Sequence, residues 1–180
     1  MGISKVSQLM VSSSRRYGAV LLTLIMTGFV GGFAAPQPVL AQAAYGSYVG
    51  VGGTVGVLGR GDRTGGVVIS GRYRILEAPI SLRAQGLLTN GGIAVIPTVS
   101  YDVPLNWQTE AYLGAGISIP GGNNSPVGDK VSFALQPGLD YAIPDSNTVI
   151  FGNAVIAFDA YRSGGGTAVS VQGGVGFQFR

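Results

Sequence analysis

"VQGGVGFQFR" (residues 171–180) ends the chain, and its two parities differ in chemistry. Val171, Gly173, Val175, Phe177 and Phe179 form one face, and Gln172, Gly174, Gly176 and Gln178 form the other. A period of two is the signature of a β-strand. Chain ends normally fray in water, so an aromatic one residue from the carboxyl end points to an apolar environment. The stretch therefore asks which face of its sheet meets solvent.

The same period runs back through the chain from residue 44, which contains no convincing amphipathic helix. Eight segments alternate: Ser47–Leu58, Val67–Leu76, Ile80–Leu88, Ile93–Asp102, Trp107–Ser118, Val131–Ile143, Thr148–Asp159 and Thr167–Phe179. In the second, Val67, Ile69, Tyr73 and Ile75 oppose Val68, Ser70, Arg72 and Arg74. In the fifth, Trp107, Ala111, Leu113, Ala115 and Ile117 oppose Gln108, Glu110, Tyr112, Gly114 and Gly116. The seventh is the least regular. Ile150, Ala154, Ile156 and Phe158 are placed outward and Asn153 inward, while Val149, Phe151 and Val155 break the pattern.

Strand charges sit on the small, polar parity: Arg72, Arg74, Arg83, Asp102, Glu110 and Asp140. A soluble antiparallel sheet buries its apolar face and carries its charge outside. That would leave this protein a glycine-rich surface poor in Lys and Glu. A membrane barrel inverts the arrangement, with apolar residues against lipid and the polar parity in the lumen. The expected fold is thus all-β, an eight-stranded antiparallel up-and-down transmembrane β-barrel.

Composition narrows the chemistry. The 180 residues contain no Cys and no His, which removes disulfide frameworks, imidazole or thiolate metal sites and triads with an imidazole base. No catalytic, cofactor-binding or metal-ligating residue is expected, and the protein is not read as an enzyme. Lys5, Arg15 and Arg16 account for the net charge of +3; without them the 11 Lys+Arg become 8, equal to the 8 Asp+Glu. A basic pI therefore gives no reason to expect a nucleic-acid partner.

Residues 1–43 read as a secretory signal peptide, and 44–180 as the barrel. Positive charge precedes an apolar run from Gly18 to Phe33, followed by Pro36, Pro38 and Ala41-Gln42-Ala43. That is the small-x-small pattern of signal peptidase, with cleavage expected after Ala43. The apolar run is shorter than the roughly 20 residues of a membrane helix. The Sec route is expected, with Arg15-Arg16 supplying ordinary positive charge rather than a twin-arginine signal.

With the amino terminus on the periplasmic side, even-numbered strands run down towards the periplasm. Tyr73, Tyr101, Tyr141, Phe177 and Phe179 then fall at their lower ends, and Trp107 at the lower start of the fifth strand. All six gather at one rim, as an interfacial girdle does. Phe133 and Phe158 make a sparser upper rim. Lower turns are short ("LEAP", "DVPLN", "IPDSN"), while three of four upper connections are longer ("GRGDRTGG", "IPGGNNSPVGDK", "AYRSGGG") and "TNGG" is a hairpin turn. "PTVSYDVP" (97–104) and "PGLDYAIP" (137–144) repeat at an offset of 40 residues. Pro97 and Pro137 each forfeit a ladder hydrogen bond, so a bulge or local slack is expected there, with the ring towards lipid.

This pattern over residues 45–179 resembles the small eight-stranded outer-membrane barrels of the OmpA and opacity-protein type. The resemblance implies insertion by the barrel-assembly machinery, which in such proteins reads a terminal strand ending in an aromatic. Phe177 and Phe179 match that form, and Arg180 departs from it. It also implies residence in the outer membrane of a diderm bacterium, with lipid as the main partner and a monomeric state.

An eight-stranded barrel has an interior just wide enough for side chains to fill. Arg72, Arg74 and Arg83 are expected to neutralise Asp102, Glu110 and Asp140 there as a structural network. The inward glycines, among them Gly50, Gly52, Gly114, Gly174 and Gly176, make room for the arginines and Tyr112 or allow curvature, with a small upper vestibule at Gly56 and Gly116 as the alternative. Arg60-Gly61-Asp62 spells an adhesion tripeptide and equally an ordinary surface turn. The functional expectation is a structural or surface-interaction role with a filled lumen. The alternatives are a narrow pore for ions or small solutes, a loop-based adhesin, and a secreted soluble ligand-binding barrel.

Overall fold

The computed structural model describes residues 46–59, 65–75, 77–90, 92–122 and 125–179. The signal segment with Ala43, the Arg60-Gly61-Asp62 turn and Arg180 lie outside these residues. Eight strands follow one another: β1 (Ser47–Leu58), β2 (Gly65–Ile75), β3 (Ile80–Thr89), β4 (Gly92–Pro104), β5 (Thr109–Pro120), β6 (Ser132–Ala142), β7 (Thr148–Phe158) and β8 (Ala168–Phe179). Each pairs antiparallel with the next, and β8 pairs with β1 to close the barrel. Strand lengths of 10 to 13 residues are enough for a tilted crossing of a hydrocarbon core, which takes about 9–11.

The closing seam runs from Ser47↔Phe179 to Leu58↔Val169, with a bulge between Gly56 and Leu58. Its middle is glycine on both sides: Gly50↔Gly176, Gly52↔Gly174 and Gly53↔Gly173. The inward pair is required by space. A Cβ on Gly52 would lie 2.1 Å from the Gly173 carbonyl oxygen, and one on Gly174 would lie 2.2 Å from that of Val51. Gly53 faces outward, where the nearest atom to an added Cβ is 3.9 Å away.

Sidedness follows the inverted pattern. Val49, Val51, Ile69, Tyr73, Leu82, Val95, Val99, Leu139, Ile150 and Val175 are all exposed, whereas Arg72, Arg83, Asp102, Glu110 and Asp140 are buried. β7 resolves in the same way: Ile150 and Phe158 are exposed and Asn153 is buried. Val149, Phe151 and Val155 share the inward parity, so they line an apolar stripe of the lumen instead of breaking the alternation.

One expectation needs adjusting. Trp107 precedes β5 instead of opening it. Asn106 Oδ1 accepts hydrogen bonds from the backbone N–H groups of Gln108 and Thr109, at 2.9 and 2.8 Å. This side-chain turn reverses the chain after Pro104 and delays the ladder to Thr109. At the prolines the structure shows the local slack that is one of the two expected outcomes, without a bulge. Pro97 continues the β3–β4 ladder opposite Ala84, but β4–β5 pairing skips from Val95↔Ile119 to Thr98↔Gly116. Pro137 likewise pairs with Leu113, while β6–β7 skips from Leu135↔Ile156 to Gly138↔Asn153. Register is kept across both gaps, so each missing N–H costs one ladder a short interruption and leaves the other intact.

Substitution at the seam tests the role of close approach. Gly52→Ala and Gly174→Ala are each expected to lower stability by about 1–3 kcal/mol through overpacking, read as a lower urea midpoint in lipid vesicles. Gly53→Ala is expected to leave the midpoint unchanged. Equal effects at all three positions would mean that the seam does not depend on this contact.

Candidate functional site

The turns 77–79, 105–108 and 143–147 lie at one end of the barrel, here the turn end, and the segments 125–131 and 159–167 lie at the other, the loop end. The charged residues meet inside, nearer the turn end. Arginines come from β2 and β3, and carboxylates from β4, β5 and β6. Local pairing sets like against like: Arg72 stands opposite Arg83, and Glu110 opposite Asp140. Such cross-strand pairs are unfavourable by themselves. They are offset across the lumen.

Arg72 is the hub. Its Nη2 reaches Asp102 Oδ2 at 2.9 Å and Glu110 Oε1 at 2.5 Å, and its Nη1 reaches Asp140 Oδ2 at 3.1 Å. Its Nε donates to Ser81 Oγ at 3.1 Å. Arg83 Nη2 meets Asp140 Oδ2 at 2.9 Å and Asp102 Oδ1 at 3.4 Å, and its Nε donates to Ser100 Oγ at 2.9 Å. Its guanidinium also lies 3.3 Å from the centroid of the Tyr112 ring, a cation–π contact. Arg74 holds the second oxygen of Glu110 at 2.8 Å and is the least buried of the three. The hydroxyls of Ser81 and Ser100 donate to Asp102, and Tyr48 Oη donates to Asp140 Oδ1 at 3.1 Å.

Three guanidinium groups thus meet three carboxylates with nearly every polar atom engaged. The cluster fills the lumen at this level with ion pairs that cross it. Tyr48, Ser81 and Ser100 are partners that sequence reasoning missed. All three lie on the inward parity of their strands, which was the available signal. Phe151 stacks on Tyr48 with ring centroids 6.0 Å apart, and it fills the space left by Gly50 and Gly174.

The loop end is closed by different chemistry. Val68, Leu87, Ala94, Ile96, Ala134, Val155 and Ala157 are fully buried, in place of the polar filling expected for the whole lumen. Val127 enters from the segment 125–131, and Ala160 and Tyr161 from 159–167. Gly128, at φ 103°, packs directly on Ala160, whose carbonyl accepts from the N–H groups of Asp129 and Lys130 at 2.9 and 3.2 Å. Asp129 Oδ1 accepts from Arg162 N at 2.8 Å, and Lys130 pairs with Asp159. These two connections form one cap. Gly116 provides no vestibule, because a Cβ there would lie 2.0 Å from the Pro97 carbonyl oxygen.

On the outside, Tyr73, Tyr101, Tyr141, Phe177 and Phe179 are exposed near the turn end, with Trp107 at 75% exposure in its turn. Phe133 and Phe158 stack with centroids 6.1 Å apart near the loop end.

No protein-family model matches the sequence, and no curated protein matches it. Solved structures do. Neisserial surface protein A aligns over 77% of this chain and 100% of its own, at 16% identity and a TM-score of 0.54. Ail, the attachment invasion locus protein of Yersinia pestis, in complex with the heparin analogue sucrose octasulfate, aligns over 74% of this chain and 97% of its own (19% identity, TM-score 0.52). A de novo designed transmembrane β-barrel aligns over 76% of this chain and 98% of its own (14% identity, TM-score 0.54). The fold is that of the small transmembrane β-barrels. At these identities the likeness is one of fold alone.

Breaking the hub gives a direct energetic test. Arg72→Met leaves three buried carboxylates with two arginines and is expected to cost about 3–5 kcal/mol, the usual consequence of orphaning a buried charge. Adding Glu110→Gln is expected to recover part of that loss, measured as urea midpoints in vesicles. A double variant no more stable than the single would disprove the coupling.

Proposed function

We propose that the chain is an outer-membrane protein of a diderm bacterium, monomeric, with a sealed lumen and a structural, surface-presenting role. One observation carries this reading: the exposed parity of a closed barrel is apolar around its circumference while the charges lie inside. Lipid matches such a surface. It offers no hydrogen bonds, and a closed ladder needs none from it.

Residues 1–43 act as the Sec signal, removed after Ala43. Tyr73, Tyr101, Trp107, Tyr141, Phe177 and Phe179 sit at the periplasmic headgroups, and Phe133 with Phe158 at the outer ones. Phe177 and Phe179 mark β8 for the barrel-assembly machinery. The segments 125–131 and 159–167, tied together through Ala160, present one platform to the exterior. The ion-pair network and the apolar cap count against a pore. A soluble ligand-binding barrel would need the opposite sidedness. Ail's complex with a heparin analogue suggests the class of ligand to try on the platform, although its Lys130 is paired with Asp159.

Fractionation with unboiled gel migration tests the location. A detergent-requiring, heat-modifiable protein whose amino terminus begins at Ala44 is expected; full solubility without detergent would refute the membrane reading. In planar bilayers no conductance steps above the lipid baseline are expected. Reproducible steps would favour the pore.

A further inference from the structure

At the turn end a cavity of about 750 Å³ opens between the turns 105–108 and 143–147 and the last residues of β8. Its size is that of a small-molecule site, which spans about 300–1,000 Å³. Trp107 and Phe177 bring aromatic surface to it, at 75% and 59% exposure. Gln108, Asn147 and Gln178 bring three primary amides, and Asp145 brings a carboxylate. Main-chain bonds fix the segments that carry them. Ala142 N donates to Gln108 O at 2.8 Å, and Gln178 N donates to Asn147 O at 2.7 Å. These bonds use backbone groups only, so they leave the three side-chain amides to a ligand. Asp145 takes a left-handed backbone conformation, φ 57°, which an acid tolerates better than most residues.

The chemistry of this set narrows what it can hold. None of the described residues lining the cavity is cationic, so a phosphate or sulfate finds neither Lys nor Arg there. An ammonium donates hydrogen bonds only, and would leave the amide N–H groups unmatched. An apolar ligand would desolvate the polar groups without replacing their hydrogen bonds. A sugar ring satisfies the whole set. Its hydroxyls donate and accept, as the amides do, and a carboxylate accepts from them. Its C–H face lies flat on an aromatic ring. The Trp107 indole offers such a face and adds an N–H donor.

We propose that this cavity is a binding site for an uncharged saccharide, with one ring stacked on Trp107 and its hydroxyls held by Gln108, Asn147, Gln178 and Asp145. The β5–β6 and β7–β8 ladders bring these residues together from three separate stretches of sequence. The site lies at the opposite end of the barrel from the platform of 125–131 and 159–167. A glycan in the surrounding water and the sugar headgroup of a lipid share this chemistry. The inference stands on the geometry of the turn end and is independent of the membrane proposal.

Trp107 is the chain's only tryptophan, so its emission reports this site alone. The complete barrel in phosphatidylcholine nanodiscs is titrated with triacetylchitotriose and with maltotriose, both uncharged. Saturation-transfer NMR on the sugar protons reads contact independently of emission. A saturable response is expected with at least one of them. Gln108→Ala and Asn147→Ala, at exposed turn positions, are each expected to raise the half-saturation concentration about three- to tenfold, the weight of one hydrogen bond. Unboiled gel migration certifies that both variants are folded. Digalactosyl diacylglycerol built into the nanodisc forms a second arm, and an emission shift there identifies a lipid-borne sugar as the occupant. No response to either oligosaccharide or to the glycolipid would overturn the proposal. So would a response unchanged in both folded variants, or one given by O-phosphorylethanolamine and by no sugar.

Discussion

Everything in this structure follows from the closure of β8 onto β1. A sheet with an open edge exposes a row of unpaired N–H and C=O groups. Where solvent offers no hydrogen bonds, only a closed ladder meets the requirement. Eight strands close around a space that side chains can just fill. The seam needs its strands in close contact, hence Gly52 against Gly174. Once closed, the barrel has no edge to protect and needs only an apolar exterior and a filled interior.

The filling is layered, and each layer solves a different problem. Near the turn end, cations from β2 and β3 face anions from β4, β5 and β6, so the wall itself is divided by charge. The division leaves Arg72 beside Arg83 and Glu110 beside Asp140, arrangements that only bonds across the lumen make tolerable. Near the loop end, aliphatic side chains and Val127 exclude water by packing alone. An ionic closure and an apolar closure fail under different stresses. A solute crossing the lumen would have to disrupt both.

Much of this was legible in the sequence because alternation needs no tertiary information. Seven of the eight segments separated cleanly into faces, and the inward arginines and acids could be placed by parity alone. Connections were less readable. Nothing in "IPGGNNSPVGDK" distinguishes Val127 as a plug, because the neighbouring Gly128, Asp129 and Lys130 are held against Ala160 from a connection distant in sequence. Trp107 was assigned to β5 because it continued the apolar parity. The Asn106 side chain supplies a competing local hydrogen-bond acceptor, so the ladder starts two residues after Trp107, at Thr109. The hydrophobic upper lumen was missed for a related reason. Val68, Leu87 and Ile96 stand on the parity that charge had marked as polar.

A buried ion network is not in itself a gain in stability over well-packed apolar side chains, so its presence calls for another account. Register supplies one. A one-residue slip turns every inward side chain outward, and a charge turned towards lipid carries a penalty that grows with depth and is larger for Arg than for Asp or Glu. Charges on the inward parity of β2, β3, β4, β5 and β6 therefore penalise the wrong register of each of those strands. β7 carries no strand charge, and apolar Val149, Phe151 and Val155 would sit in lipid without penalty. Its inward polar mark is Asn153. β1 and β8 carry no strand charge either; their faces are legible because Gly, Thr and Gln alternate with Val and Phe, whereas β7 sets apolar residues on both faces.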